Sequence, residues 1–439
     1  MSGVTMRTKR ILATGLFTSV LSLGALLPQT GIAAEEEKSA LPIEELRVFA
    51  EVFSRIKQDY VEPVEDKVLL RYAIEGMLSG LDPHSAYLAE EDYAELRVGT
   101  SGQFGGVGIE VGPSEDFIKV ISPIDDTPAQ RAGIQAGDII VRIDGRSIKG
   151  LDLDEAVGLM RGEPDSKITL TIVREGRSEP FDVSMERAII KVASVKERML
   201  EKDFGYVRIS QFQSQTGDDL IISINKLMDE SNDNLKGLVL DLRNNPGGVL
   251  NAAVAVSDAF LTDGLVVYTE GRVEDTQLKF SSAPDDVLNG APIVVLVNQG
   301  SASASEIVAG ALQDHRRAVI MGQTTFGKGS VQTIVPVNEK TAVKLTTARY
   351  YTPNGRSIQA EGIRPDIELE NYRLEKDKDD GTFLKEADLS GHLENPEAEE
   401  GKDAADSANS DSNDTDYVLN EALNLLKGLA IMRSAQVSE

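Results

Sequence analysis

Three serines alternate with alanine at Ser301-Ala302-Ser303-Ala304-Ser305, just after the apolar run Ile293-Val294-Val295-Leu296-Val297 and the turn Asn298-Gln299-Gly300. A small-residue turn at the carboxyl end of a buried strand is where an α/β sheet exposes reactive groups. The helix that follows points its free N–H groups at the same spot. Ser303 stands where a nucleophile would, and a serine needs a base to take its proton. The histidines serve poorly: His315 is twelve residues on, roughly 18 Å away along one helix at about 1.5 Å per residue. His392 lies in an acidic tail and His84 among N-terminal helices.

Lys328, in Thr325-Phe326-Gly327-Lys328-Gly329-Ser330-Val331-Gln332, is the other candidate base. At its ordinary pKa of about 10.4 a lysine is protonated, so a dry position must lower it. Apolar Val319-Ile320-Met321 and Val331 offer one, and Gln332 can hold the amine without adding charge. An oxyanion would need backbone donors. The amide of Ala304 and that of Gly247 or Gly248, in Asn244-Asn245-Pro246-Gly247-Gly248, are the candidates. The same residues also admit a plain reading: Ser303-Ala304-Ser305-Glu306 fits a helix capping box, and a glycine-flanked lysine suits a solvated loop.

These residues need two strand–turn–helix units, Leu235–Arg243 with Val249–Phe260 and Ile293–Val297 with the helix running to Asp314. Right-handed connections would put both turns at one edge of a single sheet. Between about Phe104 and Arg187, short β-rich runs (Val107–Val111, Phe117–Ile121, Ile139–Ile143, Ile168–Arg174, Phe181–Met185) and one helix, Leu153–Met160, predict a small α+β domain. From Leu41 to Leu96 apolar residues recur at helical spacing, giving two or three short helices broken at Pro63 and Pro83. Within Asp82-Pro83-His84-Ser85, His84 is either catalytic or, as the sequence favours, a turn residue, with Ser85 capping the next helix. Beyond Glu370 the chain turns acidic and polar, which predicts a flexible linker over 371–415. A helical pattern returns with Val418, Leu419, Ala422, Leu423, Leu425, Leu426, Leu429 and Ile431. Such an apolar face wants a partner, and self-association is the expected one.

The chain has 439 residues, no cysteine, and a net charge of −27 at pH 7. That charge repels nucleic acid and anionic headgroups. Arg7, Lys9 and Arg10 precede an uncharged run from Ile11 to Leu27 and the small residues of Gly31-Ile32-Ala33-Ala34. This reads as a signal peptide over 1–34, with a retained anchor as the rival, and predicts export to the periplasm.

Phe104-Gly105-Gly106-Val107-Gly108-Ile109, Ala132-Gly133-Ile134-Gln135-Ala136-Gly137-Asp138-Ile139-Ile140 and Asp144-Gly145 resemble a PDZ domain. The resemblance implies that Gly106, Val107, Gly108 and Ile109 capture a terminal carboxylate. Gly300-Ser301-Ala302-Ser303-Ala304-Ser305-Glu306-Ile307, Phe326-Gly327-Lys328-Gly329 with Gln332, Leu242-Arg243-Asn244-Asn245-Pro246-Gly247-Gly248 and Tyr351-Thr352-Pro353-Asn354-Gly355-Arg356-Ser357-Ile358 resemble the carboxyl-terminal processing (tail-specific) serine proteases. Leu81-Asp82-Pro83-His84-Ser85 matches as well, so the likeness runs from about Leu41 to Leu369. It implies an α+β multidomain chain: a helical region over 35–100, a PDZ domain over 101–187 inserted in a crotonase/Clp-like α/β protease domain over 188–370, then the linker and a helix over 416–439.

It further implies a serine endopeptidase with Ser303 as nucleophile, Lys328 as base and Gln332 orienting that base, needing no cofactor or metal. Arg161, in Leu159-Met160-Arg161-Gly162, matches a position implicated in gating, and a solvated helix-end cation is the alternative there. The implied partners are protein substrates with nonpolar C-termini, further copies of the chain joined through terminal helices, and a lipoprotein adaptor. Two other functions stand beside this one. A PDZ scaffold without turnover would bind peptides only. A crotonase-like acyl-CoA site would share the two glycine turns, but the export signal and the lack of a basic patch argue against it.

Overall fold

The structure, a computed structural model, describes residues 42–114, 116–370 and 416–437, with side chains to 433. The expected signal segment, the acidic linker and His392 lie outside the described residues. The chain divides into two compact units, Met1–Leu70 and Arg71–Glu439. In the first, the helix Ile43–Asp59 starts with acidic Glu44 and Glu45 and ends near Lys57, as the helix dipole favours. None of its residues is buried, and Leu46, Phe49, Val52 and Ile56 form an exposed apolar stripe.

The second unit is built on a six-stranded sheet in the order Val195–Glu201, Phe204–Ile209, Gly237–Asp241, Ile293–Val297, Ala318–Gly322 and Ile367–Glu368. Only the first pair is antiparallel. Gly237–Asp241 and Ile293–Val297 are neighbours, with Asp241 opposite Leu296, so the turns that follow them emerge side by side. Both strands are buried along their whole length, which is why they read as unbroken apolar runs rather than alternating ones. Helices Thr216–Glu230, Leu250–Asp258 and Ala304–Asp314 cover one face, contributing Leu220, Ile224, Val256, Val308 and Leu312 to its core.

The helix Tyr417–Val437 covers the other face. Val418, Leu419, Ala422, Leu423 and Leu426 pack against Phe204, Val239, Val294, Leu296 and Met321. This corrects the expectation that the terminal helix offers its apolar face for self-association, because the face is spent on the chain's own sheet. Each leucine so buried stabilises the fold by about 1.5–3 kcal/mol relative to exposure, more than an open face awaiting a partner could retain.

A second, antiparallel sheet was not expected. It runs Ala86–Leu88, Ala342–Tyr351, Leu265–Gly271 and Lys279–Ser281, with Ser330–Pro336 also paired to Ala342–Tyr351. Ser85 therefore leads into a strand and does not cap a helix. The helix Glu90–Ser101 has Ala89 at its N-cap, with no side-chain bond. Asp82 organises the turn instead, accepting the amides of His84 and Ser85 (2.8 and 3.0 Å) and the Ser85 hydroxyl (2.7 Å).

The PDZ region has its own sheet, Ile109–Ser114, Phe117–Pro123, Ile139–Ile143, Lys167–Val173 and Phe181–Glu186, and its own core around Val120, Ile140, Ile168 and Leu170. The helix Leu153–Met160 begins with a reciprocal capping box between Asp152 and Glu155. The expected strand Val107–Val111 is split. Gln103–Gly106 pairs with Ala188–Lys191, and the Ile109 strand starts afresh. The break falls at Gly108, φ +78°, where an added Cβ would sit 2.4 Å from Thr127.

Candidate active site

The two adjacent turns are stitched together by side chains. Asn244 and Asn298 exchange hydrogen bonds (2.8 and 2.8 Å). Ser301 donates to the Leu242 carbonyl (2.8 Å) and accepts the Asn298 amide (3.0 Å), while Ser305 donates to the Asn245 carbonyl (2.9 Å). Two of the three alternating serines are thus buried ties. Ser303 lies between them, and its hydroxyl makes no such tie.

Ser303 also carries strained backbone, with φ +57° and ψ −111° at the start of helix Ala304–Asp314. That region costs a non-glycine residue about 1–3 kcal/mol and persists only where its surroundings impose it. Gly247 is one such constraint, since a Cβ there would stand 2.8 Å from the Ser303 Cβ and 3.0 Å from the Ala304 nitrogen. Of the candidate oxyanion donors, the Gly247 amide is taken by Asn245 Oδ1 (2.9 Å). The amides of Ala304 and Gly248 donate to no acceptor among the described residues. Gly247 contributes space, then, and Gly248 and Ala304 the available N–H groups.

Glu306 ties this turn to the lysine loop. Fully buried, its Oε2 accepts the amides of Ser303 (2.7 Å) and Lys328 (2.9 Å). Its Oε1 accepts the Thr325 hydroxyl (2.6 Å) and the Gly327 amide (2.7 Å). One oxygen shared by both backbones brings Ser303 and Lys328 together. The expected capping box between Ser303 and Glu306 is therefore present, but its carboxylate serves a second loop as well. Sequence reasoning missed this role; the signal was an acidic side chain inside an otherwise apolar helix.

The Lys328 side chain is half-buried, and burial followed by the charge of Lys344 lowers its pKa below the ordinary lysine value, against an opposing pull from Glu306. Its Nζ makes no hydrogen bond to Ser303 or to Gln332. Gln332 is turned elsewhere, donating to Ser330 Oγ (2.9 Å) and Thr346 Oγ1 (3.4 Å). The expectation that Gln332 holds the amine is not met in this arrangement. Thr346 passes the connection on to Asp82 Oδ1 (3.0 Å). Burial opposes ionisation of Asp82, but its hydrogen bonds from Ser85, His84 and Thr346 keep its pKa below the usual carboxylate value.

His84 lies nearer the site than its sequence position suggested. Burial and then the charge of Lys328 lower its imidazole pKa, Asp82 opposes, and Lys344 adds to the fall. His315 ends the helix begun by Ala304 and bonds the Leu265 carbonyl (2.7 Å), away from Ser303. Tyr350, missed by sequence reasoning, is wholly buried beside the serine. Its hydroxyl has no hydrogen-bond partner at good geometry, and burial, with Glu306 adding, pushes its pKa well above the ordinary value while the neighbouring Ser303 hydroxyl pulls it down.

In the PDZ region, the carbonyls of Val107 and Gly108 are committed to Ala129 and Ile124. The amides of Val107 and Gly108 have no acceptor among the described residues. Arg161 is half-buried: its guanidinium lies over the Phe104 ring at 5.0 Å, and its Nε is buried without a partner among the described residues. Behind it, buried Arg187 donates to the carbonyls of Leu159, Met160 and Lys167 and to Ser166 Oγ, fixing the end of the PDZ helix. Among the described residues no group of three or more His, Asp or Glu side chains is placed to hold a metal ion, and no helix is long and apolar enough to cross a membrane.

The pattern of peptidase family S41 matches residues 203–369, that of a PDZ domain residues 119–174, and that of the activating protease CtpB N-terminal domain residues 18–92. The chain is 48% identical over 410 residues to a carboxy-terminal-processing protease of Bartonella bacilliformis, covering 93% of this chain and 94% of that one. It is 39% identical over 328 residues to a protein of Staphylococcus aureus described as a probable CtpA-like serine protease, covering 74% of this chain and 64% of that one. The solved photosystem II D1 C-terminal processing protease is 32% identical, with 74% of this chain and 93% of that chain covered at a TM-score of 0.43.

Proposed function

The chain belongs to peptidase family S41 as a carboxy-terminal-processing serine protease with a PDZ domain, and from that premise we propose that Ser303 and Lys328 form its catalytic dyad. The observation that carries the reading is the contrast among the three serines. Ser301 and Ser305 spend their hydroxyls on backbone carbonyls, and Ser303, on strained backbone at a helix start, does not.

In the proposed reaction Ser303 Oγ attacks the substrate carbonyl carbon and its proton passes to neutral Lys328 Nζ. The resulting oxyanion is met by the amides of Gly248 and Ala304. Collapse breaks the peptide C–N bond, the leaving amine takes the proton from Lys328, and water then hydrolyses the acyl-serine by the same steps in reverse. A lowered Lys328 pKa supports this, because only the unprotonated amine can act as base. The missing bonds from Nζ to Ser303 and Gln332 describe a resting arrangement that tightens on substrate, as apo sites commonly do. In it Gln332 would leave Thr346 for the amine.

We assign capture of a nonpolar substrate C-terminus to Gly106, Val107, Gly108 and Ile109. The bare amides of Val107 and Gly108 are the supporting feature. Arg161, stacked on Phe104 of the same loop with a spare buried Nε, is the proposed gate. Export to the periplasm follows from the reading of residues 1–34. Assembly into a homo-oligomer would use the exposed stripe of helix Ile43–Asp59, and a lipoprotein adaptor would act as activator.

Purified Ser303→Ala and Lys328→Ala variants should remain folded and lose degradation of an unstructured protein. Full activity in both would overturn the mechanism. A scaffold without turnover predicts capture of C-terminal peptides with no cleavage by the intact chain, which mass spectrometry of incubated peptide distinguishes.

A further inference from the structure

We infer that the C-terminal helix is an intramolecular strap that holds the oxyanion turn in register, with Asp416 and Arg243 as its positioning residues. The inference rests on the reading of Gly248 as an oxyanion donor. Arg243 is the point where three parts of the chain meet. Its Nε and Nη2 bond Asp241 (2.6–3.1 Å), a wholly buried residue at the end of the central strand. Its Nη1 and Nη2 also bond both oxygens of Asp416 (3.0 and 2.7 Å), and its carbonyl accepts Arg208 Nη2 (3.1 Å). Asp416 in turn accepts the Leu419 amide on Oδ1 (3.1 Å), so one carboxylate both caps the terminal helix and grips the turn.

From Arg243 the chain passes straight into the site. Asn244, at φ +56°, is locked to Asn298, and Asn245 bonds the Ile209 carbonyl and the Gly247 amide. Gly248 follows. The strap thus acts at the first residue of a rigid turn whose last residues face Ser303. Immediately past Asp416, Val418 and Leu419 enter the core formed with Val239 and Leu296, so helix docking and the Arg243 grip are made by the same segment. An open cavity of about 360 Å³ lined by Arg208, Arg243, Asn298, Gln323 and Asp416 adjoins the ion pair. Water and salt therefore reach it, and its loss should change the turn's register more than the global stability.

Asp416→Asn separates the two roles of this residue, because asparagine caps a helix as well as aspartate does but carries no charge for Arg243. Hydrogen exchange of the 243–249 backbone in the full-length protein should quicken about tenfold. For cleavage of an unstructured protein, kcat should fall about fivefold, less than the loss of a whole oxyanion donor, which costs about a hundredfold or more. KM should stay within about twofold. Asp416→Glu should restore more than half of the lost kcat, and Lys427→Gln, which breaks the helix's remote ion pair with Glu201, should match wild type in both measurements.

Unchanged exchange in Asp416→Asn would overturn the strap. Faster exchange with wild-type kcat would overturn its role in positioning. If wild-type protein cleaved nothing, the peptidase mechanism would have failed, and the exchange measurement would still decide whether the strap exists.

Discussion

Replacing Glu306 with glutamine changes one oxygen to an NH2 group and should disturb both stability and the pH profile. In wild type the carboxylate accepts four hydrogen bonds, from Ser303 N, Lys328 N, Gly327 N and Thr325 Oγ1. An amide can face only one pair of those donors with its oxygen. The better orientation keeps Ser303 and Lys328 bonded and turns NH2 toward Thr325 and Gly327, where the hydroxyl can rotate but the Gly327 amide cannot. One buried donor left unpaired costs about 1–3 kcal/mol, and the surviving bonds lose their charge assistance at about 1 kcal/mol each. The sum is about 3–5 kcal/mol, to be read as a fall of roughly 1 M or more in the urea midpoint. The kinetic effect has a definite sign. Glu306 raises the Lys328 pKa, so its neutralisation lowers that pKa further, and activity, which needs the unprotonated amine, should appear at lower pH. A urea midpoint equal to wild type, or a rising limb that does not move, would refute the reasoning.

Lys344→Gln should act in the opposite direction: removing that like charge raises the Lys328 pKa, so the rising limb of kcat/KM moves to higher pH. Ser301→Ala should cost about 1–3 kcal/mol by stranding the Asn298 amide yet keep measurable turnover, whereas Ser303→Ala keeps stability and loses turnover; denaturation and cleavage assays on the pair separate tie from nucleophile. Arg187→Met should leave the carbonyls of Leu159 and Met160 unpaired and loosen the PDZ region by about 3 kcal/mol, so that titration shows lost C-terminal peptide binding while an active-site serine probe still labels Ser303.

Much of the framework was legible in the residues. Ile293–Val297 and Leu153–Met160 fall where their apolar patterns put them, because burial on both faces, or on one helical face, writes itself into local spacing. The pairing of the two glycine- and serine-rich turns followed from connection handedness alone. What stayed hidden depends on distant partners. Glu306 looked like a helix cap because its bonds to Thr325, Gly327 and Lys328 cross between loops. Ala86–Leu88 is too short to show alternation and exists only by pairing with Ala342–Lys344. The terminal helix announced an apolar face but not its owner, and no periodicity could tell a neighbouring copy from the chain's own sheet. The direction of the Gln332 side chain and the nearness of His84 to Lys328 stayed hidden for the same reason. Side-chain direction and spatial nearness are set by the second sheet, which local pattern did not reveal.

The pairing of Gln103–Gly106 with Ala188–Lys191 has a consequence for how such a chain can be taken apart or assembled. Because Gly106 lies opposite Ala188, the segment between them begins and ends one interstrand spacing apart, about 5 Å. Excised at that point, the segment could be closed by a tight turn, or exchanged for another module with matching ends, without opening the protease core. The two strands act as a plug and socket, through which a peptide-reading module could be gained, lost or swapped as a single cassette.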